Sequence, residues 1–243
     1  MSHHVTRIAA AMAVALCASL AQAAPTVGVF TGSAPGQGLD LQGDFTYALT
    51  MNPGAAGVTL GDATFTNAFA TSGVGLGYAN YIGNWYPASY EPSTLGAVMQ
   101  SIIWTPANGA ADSQVVTLSL GNLQVGQTYK VQLLFAEACC ARGFDIYQDG
   151  VKQADDVSPY ALTGGVTYNP NQSAVFTNTF VATASTVVFG LGGQAAYGDN
   201  NPILNAATLE SIPSAVPEAS AYGMALAGLL VVGALAQRRR RAA

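Results

Sequence analysis

The chain of 243 residues predicts an all-β sandwich over residues 24–212. Glycine occurs 27 times and only 9% of residues are charged, a composition that disfavours helices with solvated charged faces. Short runs of alternating apolar and polar residues recur, separated by Gly, Pro, Asn and Asp. Roughly eight to ten short strands and no convincing internal helix are expected, and two packed sheets bury such strands well.

The strongest strand signal is the run 128–137, in which Tyr129, Val131, Leu133 and Phe135 share one apolar face. Residues 142–148 are expected to pair with this strand and to end at the turn Asp149-Gly150. Further strands are predicted at 26–30, 44–50, 58–65, 96–104, 114–120, 173–181, 186–191 and 203–212.

Two details of this prediction depend on local patterns. In strand 44–50, Phe45, Tyr47 and Leu49 are expected on one face, because side chains alternate along a strand. Residues 71–93 show no clean periodicity and contain many Gly, Asn, Pro and aromatic residues. This segment is predicted to be a long loop.

The N-terminus has the pattern of a secretory signal. Arg7 precedes an apolar run over residues 8–20, and Ala-Gln-Ala at 21–23 is a small-x-small cleavage site for signal peptidase. Residues 1–23 are therefore predicted to be a cleaved signal peptide. An uncleaved N-terminal anchor is the alternative, although the apolar run is short for a membrane span.

The C-terminus combines three features in order. A linker at 213–220 contains Val216-Pro217-Glu218, an uncharged apolar run covers 221–237, and residues 238–243 hold four arginines. The apolar run predicts a transmembrane helix, and the arginines are expected to stay on the cytoplasmic side. The rest of the chain would then lie outside the cell, anchored to the membrane.

This tripartite tail resembles the PEP-CTERM sorting signal of exported bacterial proteins. The resemblance implies recognition by an exosortase, a transpeptidase-like membrane enzyme that removes the tail, with Val216, Pro217 and Glu218 as the sorting motif. The usual motif is Pro-Glu-Pro, whereas this chain has Ala219 at the last position. The protein is therefore expected at the cell surface or in the extracellular matrix after processing.

Charge and histidine content narrow the function. The domain has three basic residues, Lys130, Arg142 and Lys152, against twelve acidic ones, which argues against nucleic-acid binding. The only histidines, His3 and His4, lie in the predicted signal peptide. The mature domain would lack an imidazole for a catalytic triad or a zinc site, so no enzyme activity and no cofactor are predicted. A glycosidase that uses two carboxylates is the less favoured alternative.

Two adjacent cysteines, Cys139 and Cys140, are the only cysteines expected in the mature domain, and export would place them in an oxidising compartment. A bond between neighbours closes an eight-membered ring, which ordinary disulfide geometry disfavours. A vicinal disulfide, two thiols and intermolecular bridges all stay open. A vicinal disulfide would form either a rigid apolar platform beside a binding site or a purely structural staple.

Aromatic residues crowd the predicted loop, among them Tyr81, Trp85 and Tyr86. Sugars present apolar C–H faces and hydroxyl groups, so rings and nearby amides suit them. These three residues are predicted to contact a carbohydrate, with Trp85 or Tyr86 stacking on the sugar face. The alternative is an aromatic cluster that packs beneath the loop.

The second half of the domain carries a further resemblance. The segment YKVQLLFAE at 129–137, then RGFDI at 142–146 and PILNAATL at 202–209, is similar to the core of malectin-like domains. The resemblance implies a galactose-binding-like jelly roll and carbohydrate recognition. It places ligand contacts at Tyr197 and Asp199.

Calcium is a weaker possibility, and no metal site is predicted. Loop oxygens are available at Asp149, Asp155 and Asp156, and at residues 199–201, but without a regular Asp-x-Asp-x-Asp spacing. The sequence therefore predicts an exported, non-catalytic surface or matrix protein that binds glycans or exopolysaccharide. A structural biofilm-matrix component without a small ligand is the alternative.

Overall fold

The structure is a computed structural model that describes residues 23–31, 38–85, 93–106, 113–165, 172–193 and 201–213. The chain divides into two compact units, Met1–Ile212 and Pro213–Ala243. Residues 1–22 of the predicted signal peptide, the sorting motif Val216-Pro217-Glu218, the apolar run 221–237 and the basic tail lie outside the described residues. Within the described ranges, no helix is long and apolar enough to cross a membrane.

The described elements are mostly short strands, as the sequence predicts. The first half contains β1 Thr26–Thr31, β2 Asp44–Thr50, β3 Thr59–Leu60, β4 Ala63–Thr64, β5 Thr66–Asn67, β6 Val74–Gly77, β7 Asn80–Ile82, helix α1 Ser93–Met99, β8 Ile102–Trp104 and β9 Gln114–Leu120. The second half contains β10 Thr128–Phe135, β11 Phe144–Gln148, β12 Val151–Val157, helix α2 Pro159–Leu162, β13 Gln172–Val181, β14 Val187–Gly192, β15 Ile203–Leu204 and β16 Ala206–Ile212.

Two large sheets form the body of the domain. One has six strands in the order β1-β13-β10-β16-β2-β5, and the other has five in the order β12-β11-β14-β9-β6. Strand β5 is parallel to β2, whereas the other neighbours in these two sheets are antiparallel. Two smaller sheets, β15-β8-β7 and β3-β4, accompany them.

Residues of both large sheets form one buried apolar cluster. Val131 and Leu133 of β10 belong to it, and so do Val116 and Leu118 of β9. The predicted apolar face of β10 lies entirely within this cluster, which contains Tyr129, Val131, Leu133 and Phe135. The prediction of an all-β sandwich is therefore confirmed for the two large sheets and the core that they share.

A second buried cluster covers the opposite face of the six-stranded sheet. Leu134 of β10 and Val175 of β13 pack there with Leu95, Val98 and Met99. The last three belong to α1 and follow helical spacing. The predicted strand over 96–104 is confirmed only at its end, where β8 covers Ile102–Trp104, and is wrong for residues 96–99, which belong to α1. The prediction of no internal helix is also wrong, because a short apolar run satisfies both periodicities and the contact with the sheet selects the helix.

The predicted pairing of 142–148 with the strongest strand is also wrong. Strand β11 pairs with β12 and β14 in the five-stranded sheet, whereas β10 pairs with β13 and β16. Between β10 and β11 the chain crosses from the six-stranded sheet to the five-stranded sheet. The rings of Phe135 and Phe144, at the two ends of this crossing, have centroids 5.2 Å apart. The predicted turn is present: Asp149 and Gly150 join β11 to β12 with φ of 49° and 81°, as in a tight hairpin.

A β-bulge in β2 changes which side chains share a face of this strand. Leu209 pairs with Tyr47 and Glu210 pairs with Phe45, so Thr46 is an extra residue on β2. Phe45 packs against the second cluster, whereas Tyr47 and Leu49 belong to the first. The prediction of one shared face fails because the bulge reverses the alternation.

The predicted loop 71–93 contains strands β6 and β7 and the start of α1. Glycines at 73, 75 and 77 hide the alternation of Val74 and Leu76. A side chain at Gly77 would meet Thr117 Oγ1 at 2.4 Å, so β6 lies very close to β9. The predicted strands 58–65 and 203–212 are each divided in two, at Gly61 and at Asn205.

Candidate functional site

Three aromatic side chains form an exposed cluster, here called the aromatic face. Phe69, Tyr78 and Tyr81 are 38%, 40% and 43% exposed. The Phe69 ring lies edge-to-face with Tyr78 at 5.9 Å and with Tyr81 at 5.5 Å. Of the predicted contact residues, Tyr81 belongs to this face. Phe69 lies outside the predicted loop and was not predicted, because no local pattern links it to Tyr78 and Tyr81.

Backbone pairing and turns hold the aromatic face. Tyr81 lies on β7 opposite Ile103 of β8, and its hydroxyl donates to Ser101 Oγ at 3.3 Å. The Phe69 N–H donates to Asn67 Oδ1 at 3.0 Å. The Tyr81 side chain and the backbone at Phe69 are therefore positioned before any ligand arrives, which lowers the entropic cost of binding.

Trp85 has a different environment from Tyr81. Its indole N–H donates to the Ala136 carbonyl at 2.8 Å, and its backbone N–H donates to the Gln100 carbonyl at 2.8 Å. The side chain is half-buried and packs against both apolar clusters. Its predicted stacking on a sugar stays a prediction. Tyr86, Tyr197 and Asp199 lie outside the described residues.

Arg142 lies at the centre of a second cluster that includes both tryptophans. The guanidinium carbon is 4.8 Å from the centre of the Trp85 ring and 5.7 Å from that of Trp104, within the range of cation–π contacts. Arg142 is 4% exposed, and its Nε lies 3.4 Å from Glu137 Oε2. The charge is thus buried but compensated.

The two cysteines close the turn between these charged residues. Cys139 and Cys140 are joined by a disulfide. The backbone N–H groups of Ala138, Cys139 and Cys140 all donate to Glu137 Oε1, at 3.0 to 3.1 Å. Burial raises the pKa of Glu137, although these N–H groups and Arg142 favour the carboxylate. The turn is therefore organised around one buried carboxylate.

A third cluster brings Asp155 and Asp156 to Asp145, with carboxylate oxygens within 4.8 Å of one another. Lys152 Nζ forms ion pairs with two of these carboxylates, at 2.7 Å from Asp145 Oδ2 and 2.8 Å from Asp155 Oδ1. These bonds raise the pKa of Lys152 and lower that of Asp155. Asp149, grouped with Asp155 and Asp156 in the sequence, instead accepts the Val188 N–H beside the hairpin turn.

Comparison with known proteins yields no family. No protein-family model and no curated protein matches the chain. Solved structures that resemble it include the plant receptor-like kinase ANX2, at 15% identity and a TM-score of 0.48, covering 70% of this chain and 49% of that chain. The ANXUR1 extracellular domain from Arabidopsis thaliana is 14% identical, with a TM-score of 0.41 and coverage of 63% and 43%.

A calcium-binding mutant of β-glucuronidase 2 from Bacteroides uniformis is also similar, at 11% identity and a TM-score of 0.45, covering 77% of this chain and 18% of that chain. The chain thus spans less than half the length of each of these three structures. At these identities and TM-scores, the likeness carries no argument about family or function. Membership of the malectin-like family stays a prediction.

Proposed function

We propose that this chain is an exported, non-catalytic binding protein that takes a carbohydrate on the aromatic face of Phe69, Tyr78 and Tyr81. The observation that supports it is the exposure of three neighbouring rings, each more than one third exposed. Rings held in this way stack on the apolar C–H faces of sugars.

The pairing of the basic side chains in the domain favours a neutral or weakly charged ligand. In the described ranges, each basic side chain has an acidic partner: Lys130 contacts Asp40 and Glu210, Lys152 contacts Asp145, and Arg142 contacts Glu137. No free basic patch remains there for a polyanion. A neutral glycan or exopolysaccharide is the ligand class that fits.

Export and sorting complete the proposal. The galactose-binding-like jelly roll, the signal peptide, the membrane helix 221–237 and exosortase processing at Val216-Pro217-Glu218 are parts of the same proposal, supported by the sequence patterns. The protein would bind glycan at the cell surface or in the extracellular matrix. Trp85 would stabilise the domain instead of contacting the sugar directly.

The test is a glycan-array screen of the oxidised protein, with and without calcium, followed by Tyr81→Ala and Tyr78→Ala. Each substitution removes one exposed ring and is expected to weaken binding about tenfold, which corresponds to about 1.4 kcal/mol. Tyr160→Ala, on helix α2, is the matched control and is expected to bind as the unmodified protein does. Equal binding by all three variants would refute the proposed site.

Two other outcomes select the alternatives. A folded, oxidised sample that binds no glycan would favour a structural matrix component. Turnover of a chromogenic glycoside would instead indicate a glycosidase.

A further inference from the structure

We infer that the Cys139–Cys140 disulfide is a thiol–disulfide exchange site whose co-reactant is a dithiol. The inference concerns a second site and does not rest on carbohydrate binding by the aromatic face. It depends on three observations: the exposure of the disulfide, the cation beside its sulfurs, and the charged residues that hold the turn.

The disulfide is open to a reagent from solvent. Cys139 is exposed and Cys140 is half-buried, on the turn between β10 and β11. The sole other cysteine of the chain is Cys17, in the predicted signal peptide. An incoming thiolate therefore reaches Cys139 more readily than Cys140, and once Cys17 is removed the chain offers no other thiol to exchange with.

A permanent positive charge lies beside both sulfurs. Arg142 donates from one terminal nitrogen toward Cys139 Sγ at 3.5 Å and toward Cys140 Sγ at 3.7 Å. A guanidinium stays protonated throughout the physiological range, and a neighbouring cation stabilises a thiolate. A thiolate that is stabilised in this way leaves faster when the disulfide is attacked.

The guanidinium is held in place by groups on its other sides. The Trp85 and Trp104 rings lie within cation–π distance, and Glu137 Oε2 lies 3.4 Å from Nε. Among the residues that the structure describes, Glu137 is the acidic group that contacts the turn, and its Oε1 accepts the three backbone N–H groups. Its negative charge is thus directed to the backbone and to Nε, whereas a terminal nitrogen of Arg142 faces the sulfurs.

The exchange has two steps. One thiolate of the dithiol attacks Cys139 Sγ, the S–S bond breaks, and its electron pair leaves on Cys140 Sγ beside Arg142. The second thiolate of the reagent then attacks the mixed disulfide and releases Cys139. The reagent loses two electrons and two protons and becomes a disulfide, and the protein gains both as two thiols. Arg142 is a positioning residue here and transfers no proton.

The chain carries its own optical reporter of this reaction. Its two tryptophans, Trp85 and Trp104, both contact Arg142. A change at the sulfurs that moves Arg142 is therefore expected to change the indole fluorescence, while the sheets stay intact.

The experiment treats the oxidised full chain with dithiothreitol under native conditions. After reduction, two additional thiols are expected to react with a thiol reagent. The tryptophan fluorescence is expected to change, whereas the far-UV circular dichroism spectrum is expected to stay the same. Reoxidation by diamide is expected to reverse the change. Thiols that appear only when the domain unfolds would overturn the inference.

The role of Arg142 is tested by the pH profile of alkylation of the reduced protein. A free cysteine titrates at about 8.5, and the folded protein is expected to show a midpoint at least about one unit lower than the same protein unfolded in urea. Arg142→Met is expected to remove this difference and Arg142→Lys to retain most of it. Equal folded and unfolded midpoints would overturn the role of Arg142 even if neither variant folds.

Discussion

Replacing Trp85 distinguishes the two roles that the sequence and the structure assign to it. Trp85→Ala removes the indole donor to Ala136, worth about 1 kcal/mol, and the cation–π contact with the buried Arg142, worth about 1 kcal/mol. Loss of the half-buried ring adds roughly another 1 kcal/mol of apolar burial. The free energy of unfolding is therefore expected to fall by about 3 kcal/mol.

Trp85→Phe is the matched control, because it keeps a ring and removes the N–H donor. Its expected loss is about 1 kcal/mol. For a domain of this size, the alanine variant is expected to melt roughly 10 °C lower, as measured by far-UV circular dichroism. Unchanged melting of Trp85→Ala together with lost glycan binding would refute the reasoning and establish Trp85 as a ligand platform.

Two further predictions concern stability. Asn205→Ala removes two buried bonds, from Ala136 N–H to Oδ1 at 2.8 Å and from Nδ2 to the Met99 carbonyl at 2.7 Å. Leaving both backbone groups unpaired is expected to lower the unfolding free energy by about 3 kcal/mol in urea titration, and a loss under about 1 kcal/mol would contradict this. Lys152 lowers the pKa of Asp155, so this contribution to stability is present above the unfolded pKa and is lost as pH falls through the folded value. Lys152→Met is expected to flatten the acid side of a melting-temperature profile, and an unchanged profile would argue against the contact.

The sequence alone determines the local features of the domain. The alternation in β10 places Tyr129, Val131, Leu133 and Phe135 on one buried face, because successive side chains of a strand point to opposite faces of the sheet. Asp149-Gly150 specifies a tight turn, because both residues tolerate positive φ. The scarcity of basic residues, with three in the domain, is likewise visible before any fold is known.

Tertiary structure decides which elements meet. The alternation pattern of β11 does not predict that it pairs with β14 instead of β10, because the hydrogen-bond partners of a strand lie far away in the sequence. The helix α1 forms because Leu95, Val98 and Met99 reach the six-stranded sheet, whereas a short apolar run satisfies both periods.

The same reason explains why the residues grouped by the sequence differ from those of the exposed aromatic face. Sequence proximity groups Tyr81 with Trp85, but the chain between them leaves the small sheet, and Trp85 turns to Ala136 and Arg142. Phe69 joins Tyr81 from an earlier turn. The residue types indicate which chemistry is possible. The exposure of each ring and its neighbours depend on contacts between distant segments, so the fold decides which ring is available to a ligand.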